Sequence, residues 1–278
     1  MNTRVAQPKT AMKRELDILS EAVWRGGDRV MRIARDGFET QIKKDRSPVT
    51  SADLEVNRIL YETLRREFPA DGWLSEEGPD DPDRLGKRRV WVVDPIDGTK
   101  YFMRGELTYA ISAALVQQGQ PVMGVLFNPA TGEFFSAVRG QGACLNGDRI
   151  ETKETIVEPL TVLVHPPSLR QGRLAPFEPY ADCRPMGSIA YTLGLVAAGR
   201  ADACMNFERM NEWDVAAGVL IVEEAGGSVT DSKGLPLIFN RAETSVYGIL
   251  ASSPAAKAPL EALLKRAEAP APGSRAKR

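Results

Sequence analysis

The 278-residue chain has a single histidine, His165, and that scarcity excludes much chemistry. Zinc centres draw on several Cys or His ligands, and the familiar hydrolase triads on a histidine base, so most such mechanisms would hang on one side chain. His165 ends the apolar run TVLVH and reads as a structural residue. Cysteine is sparse too. Cys144, Cys183 and Cys204 are too widely spaced for a Cys-x-x-Cys clip and too few for a disulfide framework, so they read as buried or incidental thiols. Net charge is nearly absent: 36 basic side chains against 37 acidic ones leave no global field to hold a nucleic acid or an anionic membrane. No nucleic-acid partner is expected. No apolar run approaches the roughly 20 residues that span a bilayer. The opening MNTRVAQPKTAMKREL also lacks the apolar centre of a secretion signal, which makes the cytoplasm the expected compartment.

What is present is a globular composition, 43% hydrophobic and 26% charged, with a change of pattern along the chain. Apolar residues at spacings of three and four predict a helix through Leu16, Leu19, Val23, Val30 and Ile33, with Gly26 and Gly27 marking close packing or a bend. A second amphipathic helix follows through Val56, Ile59, Leu60, Thr63, Leu64 and Phe68, capped by Thr50 or Ser51 after the Ser47-Pro48 turn. From Arg89 the period becomes that of strands: RVWVVD, TYAISAALVQ, VMGVLFNP and EFFSAVRG, with turns between them. Two helices followed by a largely antiparallel meander give an α+β half, residues 1–153. Beyond it TVLVH, SIAYTLGLVAAG, ADACMNF, WDVAAGVLIVEEAGG, SVTD, VYGILAS and a last helix alternate as an α/β half, residues 154–266. The proline-rich end, 267–278, reads as a disordered tail.

Acids gather where these elements meet. Glu76 and Glu77 follow the short strand WLS, Asp94 and Asp97 follow Trp91–Val93, Asp214 opens a helix, and Asp45 and Asp53 flank the SPVT turn. Each alone is explained by a solvated loop or by the dipole at a helix start. In DPIDGT, however, Pro95 imposes a sharp turn, so the Asp94 and Asp97 carboxylates and the Ile96 carbonyl can converge as three oxygen ligands. Such a cluster needs cations, and oxygen donors point to magnesium or manganese. Gly98 has no side chain, so its N–H and that of Thr99 can approach an anion closely. Carboxylates on one side and amides on the other suit a phosphate clamped by two divalent ions.

The motifs DPIDGT in WVVDPIDGTKYF, the paired acids of LSEEG, WDVAAG followed by EEAGG, and GSIAYTLGLVAAGRAD make the chain resemble the inositol monophosphatase superfamily of magnesium-dependent, lithium-sensitive phosphatases, over residues 12–252. The resemblance implies a layered αβαβα sandwich with the site between its halves. It implies two or three Mg2+ ions, with Mn2+ a possible substitute, held by Glu76, Asp94, the Ile96 carbonyl, Asp97 and Asp214, while Glu77 and Asp45 assist a weaker site. Gly98 and Thr99 would hold phosphate, and Asp53 with Thr99 would orient the attacking water. Lys43, or its neighbour Lys44, matches the basic residue of the family's mobile loop. A homodimer is a further possibility within the family.

For the substrate, KDRSPVTSAD and DGTK resemble the 3'(2'),5'-bisphosphate nucleotidase subgroup, with Lys100 either meeting a second phosphate or lying on the surface. Glu208 falls near the glutamate by which inositol-specific members hold a sugar hydroxyl. Arg209 could meet a phosphate or lie on the surface. Gly187 and Ser188 resemble the family's substrate-contact turn, or form a helix cap. The expected activity is thus hydrolysis of a small phosphorylated metabolite, with adenosine 3',5'-bisphosphate going to AMP and phosphate. Inositol 1-phosphate or another sugar or histidinol phosphate is the alternative, and a transcription-machinery binding protein on the same fold the non-enzymatic one.

Overall fold

The computed structural model describes residues 12–170, 174–175, 177 and 179–268. In chain order its elements are α1 (Lys13–Asp36), β1 (Thr40–Ile42), β2 (Pro48–Thr50), α2 (Ser51–Glu67), β3 (Gly72–Ser75), β4 (Arg89–Asp97), α3 (Thr99–Met103), β5 (Ala110–Gln117), β6 (Gln120–Asn128), β7 (Glu133–Val138), β8 (Gly142–Leu145) and β9 (Asp148–Ile150). Then follow β10 (Leu160–Val164), α4 (Pro166–Arg170), β11 (Ala181–Pro185), α5 (Ile189–Ala197), β12 (Ala203–Asn211), α6 (Glu212–Glu224), β13 (Ser228–Thr230), β14 (Ser245–Ser252) and α7 (Pro254–Glu268).

The seven strands β3 to β9 lie side by side in sequence order, antiparallel except for the parallel pair β3 and β4. Their side chains sort by the two-residue period of a strand. Trp91, Val93, Ile111, Ala113, Val125 and Phe127 face a core shared with α1 and α2. Val90, Val92, Ala114, Val116 and Leu126 face the opposite core, shared with α5 and α6. Both faces are covered, so these strands read as continuous apolar runs rather than as alternating ones.

The second sheet has the order β11, β10, β12, β14, β13 and mixes parallel pairs around β10 with antiparallel pairs around β14. Its outer face packs on α7, through Leu160, Val162, Ala256 and Leu260. Helix α6 is buried on nearly every side, from Val215 to Val222, and lies between the sheets. A helix apolar all round is one that is enclosed. The order of layers is therefore helices, sheet, helices, sheet, helices, the αβαβα sandwich that the motifs imply.

Several details depart from the pattern read in the sequence. The hairpin β1–β2, the strands β8, β9 and β11 and the short helix α4 are too short or too polar to stand out by periodicity. Helix α7 runs to Glu268, two residues into the span expected to be a tail, and residues 269–278 lie outside the described residues. No helix among the described residues is long and apolar enough to cross a membrane.

Helix α1 continues unbroken through Gly26 and Gly27. A Cβ on Gly27 would stand 2.2 Å from Cε1 of Phe127, whereas one on Gly26 would meet its nearest neighbours at 3.4 Å. Close packing, rather than a bend, thus accounts for Gly27. We predict that Gly27→Ala lowers stability by about 1–3 kcal/mol through overpacking. Gly26→Ala should be neutral or stabilising by up to about 1 kcal/mol through helix propensity. Urea denaturation of the two variants checks this, and equal midpoints would contradict it.

Candidate metal centre

Strand β4 carries the first acids. Its register with β5 slips between Asp94, opposite Ser112, and Asp97, opposite Ala110, so one extra residue is accommodated at Pro95-Ile96. Proline has no N–H to leave unpaired in such a bulge. Asp94 is 1% exposed and its Oδ1 accepts the Ile96 N–H at 3.0 Å. Asp97 turns the other way: its Oδ2 accepts from the Ser188 hydroxyl and the Ala190 N–H, both at 2.6 Å. That carboxylate anchors the first turn of α5, whose N-cap is Ser188.

Two further acids occupy equivalent local positions. Asp53 and Asp214 each sit third in a helix and reach back to the N-cap amide, Thr50 N to Asp53 Oδ2 at 2.7 Å and Asn211 N to Asp214 Oδ2 at 2.7 Å. This reciprocal arrangement ends a strand and starts a helix in one turn, and leaves the second carboxylate oxygen free to point elsewhere. Glu76 and Glu77 follow β3. Asn57 of α2 holds that turn, donating Nδ2 to the Glu77 carbonyl at 3.1 Å and accepting the Ser75 hydroxyl at 2.7 Å.

Carboxylate oxygens of Glu76, Asp94 and Asp214, from three separate segments, lie within 4.8 Å of one another. Burial pushes the Asp94 and Asp214 carboxyls well above the usual range, and the charges of Glu76 and Asp97 push both the same way, while a hydrogen bond with Asp94 opposes the rise at Asp214. Burial likewise raises Asp97 to about 7, against the Ser188 and Ala190 hydrogen bonds, and raises Glu77 to about 7, against the pull of Lys43. The Lys43 ammonium bridges Glu76 at 2.6 Å and Glu77 at 2.8 Å. Burial alone would lower the Lys43 pKa, but these two acids outweigh it and raise it.

Beside the acids, the Thr99 hydroxyl lies 2.9 Å from Asp53 Oδ1 and 3.0 Å from the Ile96 carbonyl. Asp53 is 1% exposed, and burial raises its pKa while the bonds from Thr50 and Thr99 oppose the rise. Ile96 thus links the two groups, its N–H on Asp94 and its carbonyl on the Thr99 hydroxyl. Gly98, at φ 96°, turns the chain from β4 into α3, and a Cβ there would come within 3.0 Å of the Thr108 carbonyl.

The donors fit a hard divalent cation: carboxylate oxygens crowd together, Asp94 buried and Glu76 and Asp214 half-buried, with the Lys43 ammonium paired to Glu76. The other expected residues divide. Asp45 is exposed and accepts from the Ser47 amide and hydroxyl. Lys44 and Lys100 are exposed. Gly187 sits against Tyr101, where a Cβ would meet the ring at 2.6 Å. Glu208 lies at the bulge of β12, its N–H on Asn206 Oδ1. Arg209 is exposed and donates Nε to Ser245 Oγ at 2.7 Å. Of the two caps expected for α2, Thr50 is the one that serves, and it also holds Asp53; Asn57 was not foreseen, and no local pattern marks it.

The sequence model of the inositol monophosphatase family matches residues 12–269. The chain is 36% identical over 233 residues to an inositol-1-monophosphatase of Rhizobium meliloti, covering 79% of this chain and 86% of that one. It is 33% identical over 217 residues to a histidinol-phosphatase of Chlorobaculum parvum, covering 73% and 79%. Among solved structures, the extragenic suppressor protein suhB of Bartonella henselae superposes with a TM-score of 0.81 at 30% identity, covering 91% of this chain and 99% of that one. Sequence and fold together make this chain a member of the inositol monophosphatase family, with the phosphoric monoester hydrolase character of its enzymes.

Proposed function

We propose that this chain hydrolyses a small phosphate monoester with magnesium held by Glu76, Asp94, the Ile96 carbonyl, Asp97 and Asp214, Glu77 assisting. The observation that carries this reading is the convergence of Glu76, Asp94 and Asp214 within 4.8 Å, adjoining the Asp53–Thr99 pair through Ile96. Bound magnesium supplies charge neutralisation and Lewis acidity toward a phosphoryl oxygen. The Thr99 hydroxyl, donating to Asp53, presents its lone pairs to the attacking water and orients it toward phosphorus. Burial makes Asp53 a stronger base than a solvated aspartate, so it receives the proton through Thr99. The amides of Gly98 and Thr99 are assigned to the phosphate. A purely binding role would need none of these oxygens together.

For the alcohol, the relatives' names support inositol 1-phosphate or histidinol phosphate. Lys100 favours a second reading, a 3'(2'),5'-bisphosphate nucleotide, because its exposed side chain follows Thr99 directly and suits a second phosphate.

Asp94→Asn should cut phosphate release by about 100-fold or more while the circular dichroism spectrum stays native, since the loss is of metal charge rather than packing. Full activity in that variant, or turnover indifferent to a chelator, would contradict the metal reading. A pH dependence follows as well. Asp94, Asp97 and Asp214 bind protons more tightly folded than unfolded, so without metal the unfolded state holds fewer protons and stability falls as pH rises toward and through about 7, the value for Asp97. Thermal denaturation in chelator should show a melting temperature that drops from pH 5.5 to 8, and saturating Mg2+ should flatten the slope. A flat profile in chelator would argue against crowded carboxylates. Finally, a panel of inositol 1-phosphate, histidinol phosphate, fructose 1,6-bisphosphate and adenosine 3',5'-bisphosphate identifies the alcohol. On the nucleotide reading Lys100→Ala raises KM for the nucleotide bisphosphate more than for the monophosphates, and equal effects rule that reading out.

A further inference from the structure

Three like-charged groups within 4.8 Å separate unless their backbones are held. Asp94 is fixed within β4, paired on both sides by β3 and β5, but Glu76 leaves the end of β3 and Asp214 lies in the first turn of α6, in another layer. The structure assigns this holding to a buried charged strut. We propose that Arg84 and Glu212 are positioning residues that fix Asp214 against Glu76 and thereby set the affinity of the site for divalent cations. The inference rests on the metal reading above and adds residues outside the motifs that carry the family resemblance.

Glu212, the first residue of α6, is 0% exposed. Its carboxylate accepts two successive backbone amides, Asn240 N at 2.5 Å and Arg241 N at 2.9 Å, while its own N–H donates to the Thr244 carbonyl at 2.9 Å. The start of α6, two residues before Asp214, is thus bolted to the connection between β13 and β14.

Arg84 grips the same connection from the opposite side. It comes from the 3-10 turn Pro82–Gly86 between β3 and β4 and is only 2% exposed. Its guanidinium donates to Asn240 Oδ1 at 2.7 Å and to the Arg241 carbonyl at 3.0 Å, and takes Asp80 as a bidentate partner at 2.5 and 2.9 Å. Asn240 Nδ2 returns a bond to the Arg84 carbonyl at 3.3 Å. Room for this side chain comes from Gly72 of β3, where a Cβ would stand 3.1 Å from that of Arg84.

Residues 240 and 241 are therefore held on their amides by the helix that bears Asp214, and on a side chain and a carbonyl by the loop that follows Glu76. The charges balance: Arg84 with Asp80, and Glu212 with the Arg241 guanidinium at 3.6 Å. Apolar side chains of the same volume would be cheaper to bury. What the charged version adds is direction, because a guanidinium fork and paired amides accept one geometry only. Outer partners of this kind commonly govern how tightly metal ligands bind.

The test is Mn2+ binding to the purified full chain, read by the electron paramagnetic resonance signal of free Mn2+. Glu212→Gln turns an amide donor toward one of the two N–H groups. It should weaken Mn2+ binding by about 10-fold to 100-fold, with kcat largely recovered at saturating metal. Glu223→Gln, at the far end of α6, removes the ion pair with Arg139 and serves as the structural control, leaving Mn2+ affinity unchanged. Should Glu212→Gln fail to fold, Asn240→Gly removes only the side chain that Arg84 grips, at a φ of 57° that glycine accepts, and should shift the affinity in the same direction. Variants that lose stability yet bind Mn2+ within twofold of the wild type would overturn the inference. A wild-type chain that fails to bind Mn2+ would sink the metal reading instead.

Discussion

Mutual repulsion among crowded carboxylates is the constraint around which this molecule is organised. Glu76, Asp94 and Asp214 would each be more stable in water and apart, yet they meet in one place. The backbone supplies the restraint. Asp94, Asp97 and Asp214 each give one oxygen to a local or neighbouring N–H, at the bulge of β4, in the first turn of α5 and at the N-cap of α6. A carboxylate with one oxygen fastened has one direction left for the other. The same bonds that end a strand or start a helix therefore also aim the cluster.

This explains why the acids are spread so widely along the chain and still converge. β4 lies near one edge of the seven-stranded sheet, next to β3, and its C-terminal end faces the start of α5 and the start of α6. Helix starts favour negative charge, and a strand bulge frees a carbonyl and changes the side-chain phase. Three ordinary local features, a bulge, a capped α5 and a capped α6, meet at one corner of the sandwich. Lys43, reaching from the β1–β2 hairpin to Glu76 and Glu77, adds the positive charge that the acids lack within their own elements.

Much of this was legible beforehand, and the reasons are specific. Trp91 to Val93 alternates between two cores, so its apolar run was visible. DPIDGT alone reads as an ordinary turn after a strand, and it was visible as a site only together with the acids of LSEEG and WDVAAG. The long helices announced themselves by spacing. What stayed hidden depends on partners remote in sequence. Nothing near Arg84 says that it is buried, because its partners Asn240 and Arg241 are brought to it only by the fold. Asn57 looks like any polar residue on an amphipathic helix until the Glu77 turn closes on it. Ser188 could be read as a substrate contact or as a cap, and its bonds to Asp97 and Tyr191 favour the cap because they engage its hydroxyl both as donor and as acceptor.

Helix α6 has a consequence for how the chain comes into being. The seven-stranded sheet is complete in sequence by Ile150, but one of its faces is covered by elements that come later, α5 and α6 foremost, the latter ending at Glu224. During synthesis from the N-terminus that apolar face has no lid until those later residues emerge. The nascent sheet therefore passes through an interval in which its best available partner is another nascent sheet, and the enclosed helix is as much a guard against that encounter as a beam in the finished fold.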